Sequence, residues 1–446
     1  MSVSHLPLKV KKFEKIGTLV DVNGHKYVRD IGCSSTLRGV PFWLFGDTFP
    51  FNSRGQMIGL LTSTGAMGNP VDPVKSKYLE VDGEGRPKQF IPFIEEEYRF
   101  NKEHVSGGQK RYLIWSFSPI VEVEPGEGWI FFYKGRTQSQ NLADNLDFGV
   151  DVARVSMTPD REVTVSRPLN KSLFDKDEVQ WGSWDALVVD QFIYMYGTQA
   201  GHVYVARVPK VNPLNKSAYE YWGNGKWSRD SSSKTGLFWR LQSGSVFWSK
   251  FYKSFIMVGC TMWADNKIIM RSAPRPEGPW TNDTLLKQLD PPAKGFNYCM
   301  NAHPWAFPDS NGGELLVSWS DQGSGFVELA KVTWEGYQGA YSNPPGHVGG
   351  PSVGQPPSFV SHPYAGYAYP QPPPTQYNYS QQQNYYQQPP PQQFYSPPPP
   401  PAPGAQYNSE HLSGHINSQQ SGGQASGGPT PPSVPFWSKP FWKKFG

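Results

Sequence analysis

Charge is scarce in this chain, and long apolar runs are absent. Asp, Glu, Lys and Arg make up 17% of 446 residues, below the usual quarter. Three of the 41 basic and one of the 37 acidic residues fall beyond Gly336, which leaves 38 against 36 in the rest. A nucleic-acid footprint needs a concentrated basic face, so no nucleic acid is expected as partner. The same balance gives no sign of steering toward a membrane surface. Cysteine is rare too. Cys33, Cys260 and Cys299 stand in no CxxC spacing and cannot make a disulfide framework. Three buried free thiols are the expectation. No stretch reaches the roughly 20 apolar residues of a membrane helix. The opening MSVSHLPLKVKKFEK lacks the apolar centre of a secretory signal, which points to a cytoplasmic or unconventionally exported protein with no transmembrane segment. Gly-rich phosphate loops, HExxH and EF-hand spacings are missing, so no cofactor is expected.

What is present divides at about residue 335. Residues 1–335 hold short aromatic and β-branched runs such as PFWLF, GWIFFY, QFIYMYG and ELLVSWS, bounded by Gly, Pro, Asp or Asn. No long amphipathic helix is expected, because turn residues break every candidate. Four segments end alike: residues 148–157, 201–210, 266–275 and 325–334. Three of them carry a small residue before a basic one, Ala153-Arg154, Ala206-Arg207 and Ala330-Lys331, and the fourth has Met270-Arg271-Ser272. Units of this size with three or four strands each predict an all-β fold, a β-propeller. A unit from Lys15 to about Thr64 supplies the fifth blade, and a monomer is expected.

Residues 336–434 are another material, rich in Pro, Gln, Tyr and Gly. Such a composition predicts disorder, because it cannot bury enough apolar surface to offset the entropy of ordering. Residues 435–446 alternate Phe436, Trp437, Phe441, Trp442 and Phe445 with Lys439, Lys443 and Lys444. This end reads equally as a contact for a protein or an anionic membrane and as an aromatic but idle terminus.

The sharpest chemical signal is VRDIGCSSTLRGVPFWLFGDTF, residues 28–49. A tight turn at Arg38-Gly39 pairs residues whose numbers sum to 77 and sets Asp30 opposite Asp47 as a non-hydrogen-bonded pair. Like charges placed there cost stability. A catalytic carboxyl pair, a cation or a neighbouring Arg29 would account for them. Alternatively, Gly32 or Gly46 marks a bulge and Asp47 is an ordinary turn residue.

This stretch resembles the opening blade of the domain-of-unknown-function family 4185, among the five-bladed glycosidase-like propellers that include arabinanases, β-xylosidases and levanases. SWDALVVDQFIYMYGT (183–198), RSAPRPEGPW (271–280) and NAHPWAF (301–307) are similar to later blades of that group. The resemblance covers residues 15 to 335 and implies a central carbohydrate site. It places Asp30 as the base, with Asp185 as the candidate acid at the mouth of the third blade. WSFSPIVE departs from the pattern, offering Ser116 and Ser118 where relatives present an acid; Glu178 and Asp151 are the substitutes to consider. Trp184, Trp248 and Trp305 are candidates for stacking on sugar faces, and His303 for holding a sugar hydroxyl or a water. A cation at Asp30 or His303 has no supporting ligand spacing. The expectation is a glycan-active propeller, a glycoside hydrolase on a furanoside or related polysaccharide working through paired carboxyls. The alternative is a catalytically silent propeller that binds glycan or protein.

Overall fold

The computed structural model describes residues 7–104, 110–139, 144–261 and 265–339. The tail expectations for 336–434 and 435–446 fall, but for the first four residues, outside the described residues. Five sheets follow one another along the chain, each stepping outward from an inner strand; all pairings in them are antiparallel except that of Val20–Asp21 with Lys75–Tyr78, which is parallel. The inner strands are Cys33–Leu37, Asp185–Val189, Leu241–Ser249 and Asn297–His303 in blades one, three, four and five. In blade two the inner edge is split. Tyr112–Trp115 and Val121–Glu124 both pair with Glu127–Arg136, and Ser116 to Ile120 leave the ladder between them. Each inner strand touches the next, and the fifth touches the first, so the five blades form the expected propeller.

The ring closes through the N-terminal strand. Val10–Thr18 is the outermost strand of blade five, paired with Phe326–Trp334. Lys15 therefore belongs to the last blade, and the first begins after it, with Val20–Asp21. The sequence motif at Lys15 was displaced because a closing strand is local to blade one only in sequence.

The recurrent small-then-basic pair has a physical cause. Ala153, Ala206, Met270 and Ala330 lie on the third strands of blades two to five and are fully buried, where facing sheets approach. The basic residue that follows points to the other side, by the two-residue period of a strand. There it meets a carboxylate on a neighbouring strand or just before one: Arg154 with Glu127, Arg207 with Glu220, Arg271 with Asp283 and Lys331 with Glu314.

One helix was not expected. Glu95–His104 precedes blade two, and its buried residue is Glu97 rather than an apolar stripe. The Glu97 carboxylate accepts from the Ile94 N–H, in the manner of a capping box. It also takes both terminal nitrogens of Arg167 and lies 3.4 Å from Lys134 Nζ. Arg167 in turn holds Asp151 at 2.5 Å. Ionic contacts fix this helix, so hydrophobic periodicity could not reveal it.

Candidate functional site

The register of the first hairpin obeys the sum of 77 on both sides of the suspect pair. Cys33 pairs with Leu44 and Leu37 with Val40, while Arg29 pairs with Thr48 and Lys26 with Phe51. Between these ladders the pairing is irregular. The Asp30 N–H donates to the Asp47 carbonyl, and the Gly46 N–H donates to the Asp30 carbonyl, each at 3.3 Å. Asp30 and Asp47 are thus opposed, but within a distorted patch rather than as a regular non-hydrogen-bonded pair. Ile31 has φ 69°, which is costly for a β-branched residue. Gly46 is required by close approach: a Cβ there would stand 2.6 Å from Asp30 Oδ1 and from Ile31 Cδ1.

The two carboxyls are held differently. Asp47 receives Arg111 Nη2 at 3.2 Å and the Trp115 indole N–H at 3.0 Å. Asp30 Oδ2 accepts the Tyr298 hydroxyl at 3.0 Å, and its Oδ1 is shielded from solvent with no hydrogen-bond partner. Burial, and then the charge of Asp47, push the Asp30 carboxyl up to about 8. Arg29 does not compensate this pair. Its guanidinium bonds Ser76 and the Leu19 carbonyl and lies over the Phe45 ring.

Tyr298 is the second residue of the blade-five inner strand, and its neighbour Cys299 also has a positive φ, 51°. The Asn301 amide donates to the carbonyls of both Ile31 and Cys299. One side chain therefore braces the two strained residues beside Asp30 and Tyr298. Asp30 keeps partial exposure, as do Asp47, Arg111, Trp115, Phe117, Gln242 and Phe296. Arg111, Gln242 and Phe296 stand at or just before the starts of inner strands, as Asp30 does; Asp47 follows the second strand of blade one, and Trp115 and Phe117 lie at the break in the blade-two inner edge. Sequence reasoning missed Arg111, Trp115, Tyr298 and Asn301, because each reaches Asp30 or its neighbours from another blade or another segment.

Asp185 opens the inner strand of blade three and is 3% exposed. Its Oδ2 accepts the Val246 N–H of blade four at 2.5 Å, and burial raises the carboxyl to about 8. The Ser243 and Ser245 hydroxyls tie blade four to the Met300 and Ala302 N–H groups of blade five, so Asp185 occupies the place of an inter-blade tie. The hydroxyls of Ser116 and Ser118 are fully buried and lack hydrogen-bond partners. The substitute acids are both engaged: Asp151 with Arg167, and Glu178 with Lys216 near the surface.

His303 is fully buried between two hydroxyls, Ser34 at 2.5 Å from Nδ1 and Ser318 at 2.8 Å from Nε2. Burial lowers its pKa to about 3, so it is neutral, and both ring nitrogens are occupied. Trp305 donates to Ser34 at 2.7 Å. It follows the inner strand of blade five, at the opposite end from Tyr298. Trp248 sits near the far end of the blade-four inner strand, in edge contact with Phe255. Trp184 is packed against Tyr196 and Phe238. The aromatic residues bonded to the carboxyl pair are Tyr298 and Trp115, with Phe296 and Phe117 as their ring neighbours, and not the three tryptophans expected from the sequence. All three cysteines are free and buried. No group of three or more His, Cys, Asp or Glu side chains able to hold a metal occurs among the described residues. No helix among them is long and apolar enough to cross a membrane.

A family model matches residues 29–337, from just before Asp30 to just beyond the last blade strand. The chain belongs to the family DUF5005, a domain of unknown function. That assignment replaces the family 4185 suggested by the opening blade. No curated protein matches the chain. Among solved structures, this DUF5005 member is similar to a Bacteroides ovatus protein described as a candidate hydrolase. The two share 18% identity over 74% of this chain and 88% of that one, with a TM-score of 0.52. That likeness shows the fold. More distant matches are a GH43_1 enzyme from Xanthomonas citri complexed with xylose and a family 117 glycoside hydrolase from Zobellia galactanivorans. The first has 11% identity, 72% and 90% coverage and a TM-score of 0.42. The second has 13% identity, 73% and 90% coverage and a TM-score of 0.40.

Proposed function

We propose that this propeller acts on glycans, as a glycoside hydrolase on a furanoside or related polysaccharide, at the Asp30 end of its inner strands. The observation that carries the reading is Asp30 itself. It is a carboxyl raised to about 8, set beside a second carboxyl that Arg111 and Trp115 hold in place. Glycoside hydrolysis needs one carboxyl that carries a proton and one that does not. At neutral pH Asp30 keeps its proton. It therefore suits the acid that protonates the leaving oxygen, rather than the base suggested by the resemblance. Asp47, ion-paired to Arg111, is the carboxylate available to act as base or nucleophile. The Tyr298 hydroxyl fixes the Asp30 carboxyl, and Trp115 offers an aromatic face beside the pair.

A silent, glycan-binding propeller is the second reading. It is favoured by Ser116 and Ser118 in blade two and by Asp185 being spent on a backbone N–H of blade four. A panel of furanoside and pyranoside polysaccharides, offered to wild type and to Asp30→Asn, separates the two. Sugar release by wild type that Asp30→Asn loses supports hydrolysis. Binding without release by either protein supports the second reading. Equal release by both overturns the Asp30 assignment.

A further inference from the structure

A cavity lies away from Asp30, between the outer strands of blade three and the third strand of blade four. Its volume is about 300 Å³, at the low end for small-molecule sites and suited to a single ring. Trp222, Thr235, Arg271, Glu277 and Trp280 are among its lining residues. Trp222 is backed by Trp227, with ring centroids 5.2 Å apart. Trp280 meets Phe238 edge-on at 5.3 Å. The walls are therefore aromatic and braced from behind.

Two polar atoms of these lining residues are almost wholly covered and have no partner within the fold, so a ligand meets them after a small turn of either side chain. One is an acceptor, Glu277 Oε2, and the other a donor, the Trp280 indole N–H. Glu277 is 7% exposed, and its other oxygen is held by Arg275 Nε at 3.0 Å. Arg271 is already committed to Asp283 at 2.5 Å and lies over the Phe238 ring. A buried polar atom without a partner is costly, so a buried acceptor and a buried donor lining one small aromatic cavity call for a ligand that supplies both.

We propose that this cavity is a binding site for one saccharide ring, distinct from the Asp30 site. A sugar hydroxyl donates to Glu277 Oε2, a ring or hydroxyl oxygen accepts from the Trp280 N–H, and an apolar sugar face lies on Trp222 or Trp280. Other ligands suited to aromatic walls fit less well. A quaternary ammonium ion satisfies the carboxylate and the rings, but leaves the indole N–H bare and faces Arg271. A polyproline strand can accept from the indole, but has no N–H for Glu277.

The test follows tryptophan indole N–H signals by NMR in 15N-labelled full-length protein. The probes are methyl β-xylopyranoside, methyl β-galactopyranoside, methyl β-glucopyranoside and methyl α-arabinofuranoside, with choline and a tetraproline peptide as competing classes. The expected result is a saturable shift of the Trp280 signal with at least one glycoside. Trp280→Phe keeps the ring and removes the donor, and should weaken that affinity about tenfold, as read from the remaining signals. Glu277→Gln, which keeps the shape of the side chain and removes its charge, serves as the variant if Trp280→Phe does not fold, with the same loss of affinity expected. Asp30→Asn should leave the titration unchanged, which separates this site from the proposed hydrolytic one. No shift with any glycoside, or saturable binding of choline or tetraproline alone, overturns the proposal. So does undiminished glycoside affinity in Trp280→Phe.

Discussion

Blade two buries Glu97 and Asp151 around Arg167, with Lys134 3.4 Å from Glu97. Blade one sets Asp30 against Asp47 with a single guanidinium, Arg111, which reaches only Asp47. The first cluster balances two negative charges with two positive ones and pins a helix to a sheet. The second leaves one carboxyl to hold its proton. Charge bookkeeping therefore separates a structural cluster from a candidate reactive one, although both look like acidic residues in strands or short helices.

The largest expected effect lies at the unbalanced pair. Asp30→Asn should lower glycan hydrolysis by about a hundredfold or more, the scale of a lost general acid, while leaving the thermal midpoint unchanged or higher. At neutral pH the fold must take up a proton at Asp30, a cost that the permanently neutral asparagine avoids. Activity and melting curves measured on the same preparation check both halves of this expectation. At the balanced cluster the signs reverse. Arg167→Met should leave buried Asp151 without a cation and Glu97 with Lys134 alone, and destabilise the fold by about 3–5 kcal/mol, read by denaturant unfolding. Gly46→Ala falls between them. Its methyl group would crowd Asp30 Oδ1 and Ile31, costing about 1–3 kcal/mol and reducing activity by displacing Asp30.

The pH dependence sharpens the same contrast. The Asp30 carboxyl is raised from 3.8 to about 8 in the folded protein. Between those values the folded state binds a proton that the unfolded state has released, so stability falls as pH rises through that window. Asp185 contributes with the same sign. Asp30→Asn should flatten the slope of unfolding free energy between about pH 4 and pH 8. A slope as steep as that of wild type would mean that Asp30 is ionised in the fold. The smallest effect belongs to the surface: Arg154→Ala, which breaks the exposed pair with Glu127, should cost no more than about 1 kcal/mol.

Much of the fold was legible because its signals are local. The hairpin register around Arg38-Gly39 follows from a two-residue turn, and the repeated third strands follow from a small residue at the sheet interface and a basic one at a cross-strand carboxylate. The helix Glu95–His104 was hidden because ionic contacts from distant strands hold it. The surroundings of Asp30 were only half legible for the same reason. Asp47 lies on its own hairpin and could be paired by counting. Tyr298 reaches Asp30 across 268 residues of chain, and Arg111 reaches Asp47 across 64. His303 looked available from its sequence neighbours, yet Ser34 and Ser318 take both of its nitrogens.

The pairing of Val10–Thr18 with Phe326–Trp334 has a consequence for biosynthesis. This strand leaves the ribosome long before its partner at the far end of the propeller, so it waits as an open edge through the synthesis of four blades. During that interval it is a template for wrong pairing, and a chaperone that binds extended segments would find it there. The circle then snaps shut in a late step of high contact order. A nascent chain stalled before residue 326 should therefore remain protease-sensitive at residues 10–18, even where its middle blades already resist digestion.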